Sequence, residues 1–319
     1  MVTKAVPSRN DLLLHFGGQI FQSVDPSRVA FVVAPPIRNV LDDGALRRDA
    51  HLRASSSFDC PLPRNGLLPY RLGMESSLPP LSPAAPRQPR GFERTRVWLF
   101  DLDNTLYPAE CNLFAQVDRK MAEFIARYLG VPFAYARHLQ KSYYRQFGTT
   151  LAGLMAVHKM DPKDFLDYVH DIDLAPVAEH PELRAVIARL PGRKLIFTAG
   201  SHGHAERVAG KLGVLDLFED IIDIVDSGFI PKEQAEAYHR MIASHSVDPA
   251  QAAMFEDMPH NLEAAHMLGM TTVLVHSSYI DHPIQLKIRQ WTEPPEHIHH
   301  MTENLCGFLE ERWPAPAAA

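Results

Sequence analysis

Two aspartates one residue apart, Asp101 and Asp103 in FDLDNTLYP (residues 100–108), follow directly on the apolar run RVWLF. Carboxylates are costly at the end of a core strand, so such a pair calls for a compensating cation. Further chemistry-bearing residues stand downstream, mostly where apolar runs end. Thr198 closes KLIFT and opens TAGS, Lys232 stands in IPKEQ, and Glu256 and Asp257 close AAMFED. The set comprises a carboxylate of the kind that serves as nucleophile, a second carboxylate, a hydroxyl, an ammonium and an acidic pair. Such a set suits a small anionic substrate screened by a metal.

The elements that would position these groups alternate along the chain from Arg94 onward. Short β-rich runs at 96–101, 194–198, 252–257 and 271–276, and a weaker one at 220–224, are separated by helical stretches at 202–212, 232–245 and 259–268. This alternation predicts parallel strands joined by helical crossovers, an α/β doubly wound, Rossmann-like sheet, in which ligands lie beyond the carboxyl ends of the strands. Lys232 would open the helix after the weak strand. On an extended segment alternate residues point the same way, so Asp101 and Asp103 would both face the site.

The interval from Pro108 to Arg193 is too long for one crossover. NLFAQVDRKMAEFIARYLG places Leu113, Val117, Met121, Phe124, Ile125 and Leu129 on one stripe, and further helices are predicted near 132–147, 150–159 and 163–170. Residues 111–174 therefore read as a helical cap inserted into a core made of 93–110 and 175–319. Residues 1–92 read as a disordered leader, since the first ninety hold 12 of the 26 prolines and stretches such as SSLPPLSPAAPRQPRG follow no structural period. RVAFVVAPP is one short strand candidate there without a partner, and Met74 is an alternative start of translation.

Composition narrows the classes. Residues 1–92 carry 11 Lys and Arg against 7 Asp and Glu, and the remainder 21 against 31, so the net −6 divides into +4 and −10. A body at −10 disfavours binding to a nucleic-acid polymer. No run is long and apolar enough for a membrane span and no secretory signal is evident, which predicts a cytoplasmic protein without a membrane partner. Cys60, Cys111 and Cys306 are odd in number and widely spaced, as reduced, incidental thiols are. Nothing indicates an oligomeric state.

The order DLDNT, FTAGS, Lys232, FEDMPHNL resembles the four motifs of the haloacid dehalogenase-like hydrolase superfamily. DLDNTLYP, YYRQFGTTLAGL, FTAGSHGHAERVAGKLG, IPKEQAEAY and FEDMPHNLEAAHMLGMTTVLV together look like its pyrimidine 5′-nucleotidase branch. The resemblance covers about Arg94 to TENLCGFLEE and leaves the leader unmatched. It implies that Asp101 attacks the phosphorus of a small phosphomonoester and becomes an aspartyl-phosphate. Asp103 would protonate the leaving alcohol and then activate water. Mg²⁺ would be held by the Asp101 side chain, the Asp103 carbonyl and Asp257, with Glu256 acting through a water. Thr198 and the N–H groups near Ala199 and Gly200 would bind phosphoryl oxygens, and Lys232 would neutralise charge on nucleophile and phosphoryl.

Other readings compete. A dehalogenase is disfavoured because that branch lacks the second aspartate. A phosphoglycolate-type or sugar-phosphate phosphatase shares all four motifs, and a non-catalytic regulatory binding protein would have no physical need for the costly charges. His297, His299 and His300 suggest zinc, but the segment better matches the family's last short strand. His202 and His204 are open between a substrate contact and a solvated helix start. Tyr143, Tyr144 and Phe147 are open between packing and a platform for a base. Ala199 stands where the family usually has Asn, and Glu233 where it often has Pro.

Overall fold

The computed structural model describes Leu13–Phe16, Gln19–Gln22 and residues 90–279 and 283–315. Two compact units divide the chain, Met1–Met74 and Glu75–Ala319. In the first, β1 (Leu13–Phe16) pairs antiparallel with β2 (Gln19–Gln22), Phe16 opposite Gln19 and Leu13 opposite Gln22. In sequence the two are linked by Gly17 and Gly18, a pair favoured in two-residue hairpin links and a signal that reading 1–92 as a leader does not use. The RVAFVVAPP candidate and Met74 lie outside the described residues.

The second unit contains β3 (Val97–Phe100), followed by α1 (Leu113–Leu129), α2 (Phe133–Phe147), α3 (Thr150–His158) and α4 (Pro162–Val169). Then come α5 (Pro181–Arg189), β4 (Arg193–Phe197), α6 (His202–Leu212), β5 (Asp220–Ile222), α7 (Ala235–His245), β6 (Ala252–Glu256) and α8 (Asn261–Met267). β7 (Thr271–Val275), α9 (Pro283–Ile288), β8 (His300–Thr302) and α10 (Leu305–Arg312) complete it. All six strands run parallel in the order β5-β4-β3-β6-β7-β8. The chain builds outward from β3 on one side and returns to build on the other, which makes β3 the switch point where such sheets gather ligands.

Side-chain alternation explains the two layers. Trp98, Phe100, Ile196, Ala253, Phe255, Val273 and Val275 point into one core, where α5, α6 and α10 add Val186, Ile187, Val208, Leu212 and Leu309. Val97, Leu99, Leu195, Phe197, Met254 and Leu274 point into the other, covered by Tyr238 and Met241 of α7 and by Leu262, Ala264 and Ala265 of α8. β3, β6 and β7 are buried along their whole length, so they read as continuous apolar runs. Each large side chain so buried contributes roughly 1.5–3 kcal/mol.

The boundary of the body differs from the sequence expectation. Phe92 stacks on His300 at 4.9 Å between centroids and on Trp98 at 5.8 Å, and His300 Nε2 lies 2.9 Å from the Arg90 carbonyl oxygen. Residues 90–92 thus belong to the sheet's surroundings, because an aromatic ring had partners there that are distant in sequence.

Helices α1–α4 enclose a separate apolar cluster with Val117, Ile125, Ala136, Tyr143, Leu154, Phe165 and Val169 at its centre, joined by Ile224 and Phe229. Their ends are specified locally. Gly130 closes α1 at φ 65, Thr149 accepts from Ala152 N to cap α3, and Asp161 accepts from Lys163 N to cap α4 with Pro162 in its first turn. Gly153 lets α3 approach α2 closely, since a Cβ there would lie 2.4 Å from that of Tyr143.

Candidate active site

β3 ends at Phe100, Asp101 N–H still donates to the Phe255 carbonyl of β6, and the chain turns beyond Leu102: Thr105 and Leu106 N–H both donate to the Leu102 carbonyl, and Asn104 takes a left-handed conformation at φ 61. An asparagine tolerates that φ, and its Nδ2 donates to Asp257 Oδ2 at 3.3 Å, tying the turn to the next strand's end. Leu102 joins Phe100 in the same core cluster, and Asp103 lies close enough for its charge to raise Asp101. The Asp101 carboxylate meets Lys232, and that of Asp103 meets His204 of α6.

Asp101, Glu256 and Asp257 converge at the carboxyl ends of the neighbouring strands β3 and β6. One carboxylate oxygen from each lies within 4.8 Å of the others, and all three residues are buried. The Lys232 ammonium enters this group, donating to Asp101 Oδ1, to Glu256 Oε2 at 2.6 Å and to the Phe197 carbonyl at 3.1 Å. Lys232 does not open a helix. It sits in a turn closed by Gln234 N donating to the Pro231 carbonyl, and α7 begins only at Ala235. The turn lets the buried ammonium reach back to β4 and β6.

The electrostatics follow from the crowding. Burial, then the charge of Glu256, pushes the Asp101 carboxyl up to about 7, against the pull of Lys232. Burial, Glu256 and Asp101 hold Asp257 well above the carboxylate range. Burial disfavours the charge on Lys232, but Asp101 and Glu256 outweigh it and raise the ammonium's pKa. Three buried carboxylates face one buried ammonium, which if all were ionised would be an excess of two negative charges. Hard oxygen donors so arranged fit a hard divalent cation, which cancels that excess. Both Glu256 oxygens are already engaged, Oε2 by Lys232 and Oε1 by Met258 N at 3.2 Å, which leaves Asp101 and Asp257 as the freer donors.

Asp103 has different neighbours. Tyr107 OH donates to its Oδ1 at 2.6 Å, and His204 Nε2 lies 2.9 Å from the same oxygen. Burial raises the Asp103 carboxyl, but the charge and hydrogen bond of His204 and the hydrogen bond of Tyr107 hold it at about 2. His204 is buried rather than solvated, with His170 stacked on it at 4.6 Å. His170 is held by Ser201 Oγ at 2.9 Å, and burial, then His204, lowers it to about 4. By contrast His202 is half exposed and pairs loosely with Glu206 at 3.6 Å. Tyr107 and His170 were not among the sequence candidates. Tyr107 had a signal, its place in the same nine-residue motif as the aspartates, whereas His170 had none.

Thr198 is buried where β4 ends, and its Oγ1 accepts from Gly200 N at 3.0 Å. That N–H is thereby engaged, while the hydroxyl keeps its own proton to donate. Gly200 admits no side chain easily: a Cβ there would lie 3.1 Å from His204 Cδ2, 3.3 Å from Thr198 Oγ1 and 3.7 Å from Asp103 Oδ2. Ala199 beside it is exposed. Its methyl carries no polar atom where an asparagine amide would stand.

Helix α2 and its exit loop lie close to this site. Gly148, at φ 80, lies against the lysine turn, since a Cβ there would meet Pro231 and the Glu233 carboxylate within 2.6 Å. Tyr143 is packed and hydrogen-bonded to His158 at 2.7 Å, whereas Tyr144 is 42% exposed with its OH 3.5 Å from His260 Nε2. Burial, then Glu233, Asp257 and Glu256, raises the Tyr144 phenol. The three late histidines form no metal site among the described residues. His299 Nδ1 meets Thr272 at 2.7 Å, His300 meets Arg90, and β8 forms at His300–Thr302.

With strands, acidic cluster and buried lysine in place, comparison with known proteins is decisive at one level. A family model described as haloacid dehalogenase-like hydrolase matches residues 95–269. The chain belongs to the haloacid dehalogenase-like hydrolases. It is also similar to Phosphate metabolism protein 8 of Saccharomyces cerevisiae, with 27% identity over 207 residues, 59% of this chain and 64% of that protein. The match thus spans just under two thirds of the yeast protein. Among solved structures, a HAD phosphatase from Thermococcus onnurineus aligns with 16% identity and a TM-score of 0.48, covering 70% of this chain and 100% of that one. An L-2-haloacid dehalogenase from Xanthobacter autotrophicus aligns with 13% identity and a TM-score of 0.44, covering 69% and 100%. No described helix of this hydrolase is long and apolar enough to cross a membrane.

Proposed function

We propose that this hydrolase is a Mg²⁺-dependent phosphomonoesterase that prefers pyrimidine nucleoside 5′-monophosphates. The observation that carries the phosphatase reading is the pairing of two differently prepared aspartates. Asp101 is buried against Lys232 and two further carboxylates, while Asp103 sits apart under Tyr107 and His204. A nucleophile and an acid-base group need such unlike surroundings.

A divalent cation held by Asp101, the Asp103 carbonyl and Asp257 would supply the positive charge that lets a phosphate dianion approach these carboxylates. The residues of the chain do the rest. An Asp101 oxygen attacks phosphorus, the ester P–O bond breaks, and the leaving oxygen takes a proton from Asp103. Water then attacks the aspartyl-phosphate, gives its proton to Asp103, and the P–O bond to Asp101 breaks to release phosphate. Asp103 rests ionised, at about 2, and the negative phosphoryl group beside it favours the protonated form needed in the first step. Thr198, with its hydroxyl proton free, and Lys232 stabilise the phosphoryl oxygens.

Residues 111–174 act as the cap in this reading. Tyr144, the exposed member of the aromatic pair, and the Gly148 loop packed against the lysine turn are the groups assigned here to meet the leaving group. The yeast relative's name places it in phosphate metabolism, in keeping with a phosphomonoester substrate. Phosphate release should be measured over a panel of UMP, CMP, purine monophosphates, phosphoglycolate and glucose phosphates, with Mg²⁺ and with chelator. UMP or CMP is expected to exceed phosphoglycolate in kcat/KM by at least about tenfold, about 1.4 kcal/mol of differential transition-state binding. Equal turnover of phosphoglycolate overturns the nucleotidase reading, and no release from any ester overturns the phosphatase reading.

A further inference from the structure

Asp103 has two oxygens in different circumstances. Oδ1 takes both the Tyr107 hydroxyl at 2.6 Å and His204 Nε2 at 2.9 Å. Oδ2 takes no hydrogen bond among the described residues and lies nearest the bare face of Gly200 in the Thr198 loop. The Asp103 side chain keeps 20% of its surface open while that of His204 keeps none.

Because the carboxylate accepts, His204 Nε2 carries a proton, and Nδ1 is buried with no partner among the described residues. An unpartnered buried ring nitrogen is a cost that an apolar residue would avoid at this point in α6. The ring is held in place nonetheless. His170 stacks on it at an interplanar angle of 18°, and is itself fixed by Ser201 Oγ and by Arg207 Nη2 donating to its carbonyl at 2.8 Å. Tyr107 is equally buried.

We infer that His204 and Tyr107 are positioning residues that anchor Asp103 through Oδ1, so that Oδ2 alone exchanges protons with the leaving group and with water. Two donors saturate Oδ1 and deny it a proton of its own. They also fix the carboxylate plane, which proton transfer requires, since a displacement of about 1 Å costs about 100-fold in rate. The backing ring of His170 stands one residue beyond α4, so the anchor is supported from the helical segment as well as from the sheet.

The inference rests on Asp103 acting as acid and base, and leaving-group dependence tests it. An aryl phosphate such as p-nitrophenyl phosphate departs without a proton, whereas an alkyl phosphate such as UMP needs one. kcat/KM reports the first transfer only. His204→Phe keeps the stack and removes the donor, Tyr107→Phe keeps the ring and removes the hydroxyl, and His204→Gln restores an N–H near Nε2. Each Phe variant should lower kcat/KM for UMP at least about tenfold more than for p-nitrophenyl phosphate, and His204→Gln should recover part of the difference. Equal losses on both esters in Tyr107→Phe, whose ring and fold are conserved, overturn the inference even if His204→Phe fails to fold. So does a gain in UMP turnover. A wild-type protein inactive on both esters overturns the phosphatase reading itself, and the inference with it.

Discussion

Asp101→Asn should make the metal-free protein more stable while abolishing turnover. In the folded chain Asp101 is held at about 7 by burial and by Glu256, against 3.8 for a free aspartate. Between these values the folded state binds a proton that the unfolded state does not, so stability falls as pH rises from about 4 to about 7 and stays low above. The full gap corresponds to at most about 4 kcal/mol at about 1.4 kcal/mol per pKa unit. Asparagine carries no charge, and Lys232 retains its bond to Glu256, so no unpaired ammonium is created. Denaturant unfolding in chelator at pH 8 should show the variant more stable by about 1–4 kcal/mol, and at pH 5 the advantage should shrink. In excess Mg²⁺ the advantage should fall by up to about 2.7 kcal/mol, the gain that a ligand at 100 times its Kd gives to the protein that binds it. A variant less stable than wild type in chelator at pH 8 would refute the claim that an excess of buried negative charge defines this site.

Asp103→Asn should lose at least about 100-fold in kcat yet bind Mg²⁺ nearly as wild type, because its proposed ligand is a carbonyl; isothermal calorimetry showing loss as deep as in Asp257→Ala would mean the side chain coordinates. Lys232→Met should cost about 3–5 kcal/mol in chelator, since the one cation bonded to Asp101 and Glu256 among the described residues is removed, and divalent cation should recover much of it in a thermal melt. Phe92→Ala should cost about 2–4 kcal/mol through the aromatic cluster with Trp98, Phe255 and Trp313, and a chain beginning at Met74, which retains that ring, should keep the wild-type melting temperature.

What local pattern could decide, the sequence shows. The alternating cores of β3, β4, β6 and β7, and the stripes and caps of α1–α4, follow from periods of two and 3.6 and from residues such as Asp161 and Gly130. Asp101, Asp103, Thr198, Lys232, Glu256 and Asp257 were legible because charged and hydroxyl groups where apolar runs end are costly without a purpose. Backbone turns set limits on that reading. The local turn in which Gln234 N–H donates to the Pro231 carbonyl takes Lys232 off the helix assumed for it, since α7 starts only at Ala235. Partnerships across long separations belong to tertiary structure alone. Lys232 reaches Asp101 across 131 residues and His204 reaches Asp103 across 101. Phe92 finds its stack on His300, and His170 backs His204 from the end of a helix in the inserted segment. A side chain's type reveals what it can bond, but which partner it meets depends on the parallel sheet that brings β3, β4 and β6 side by side.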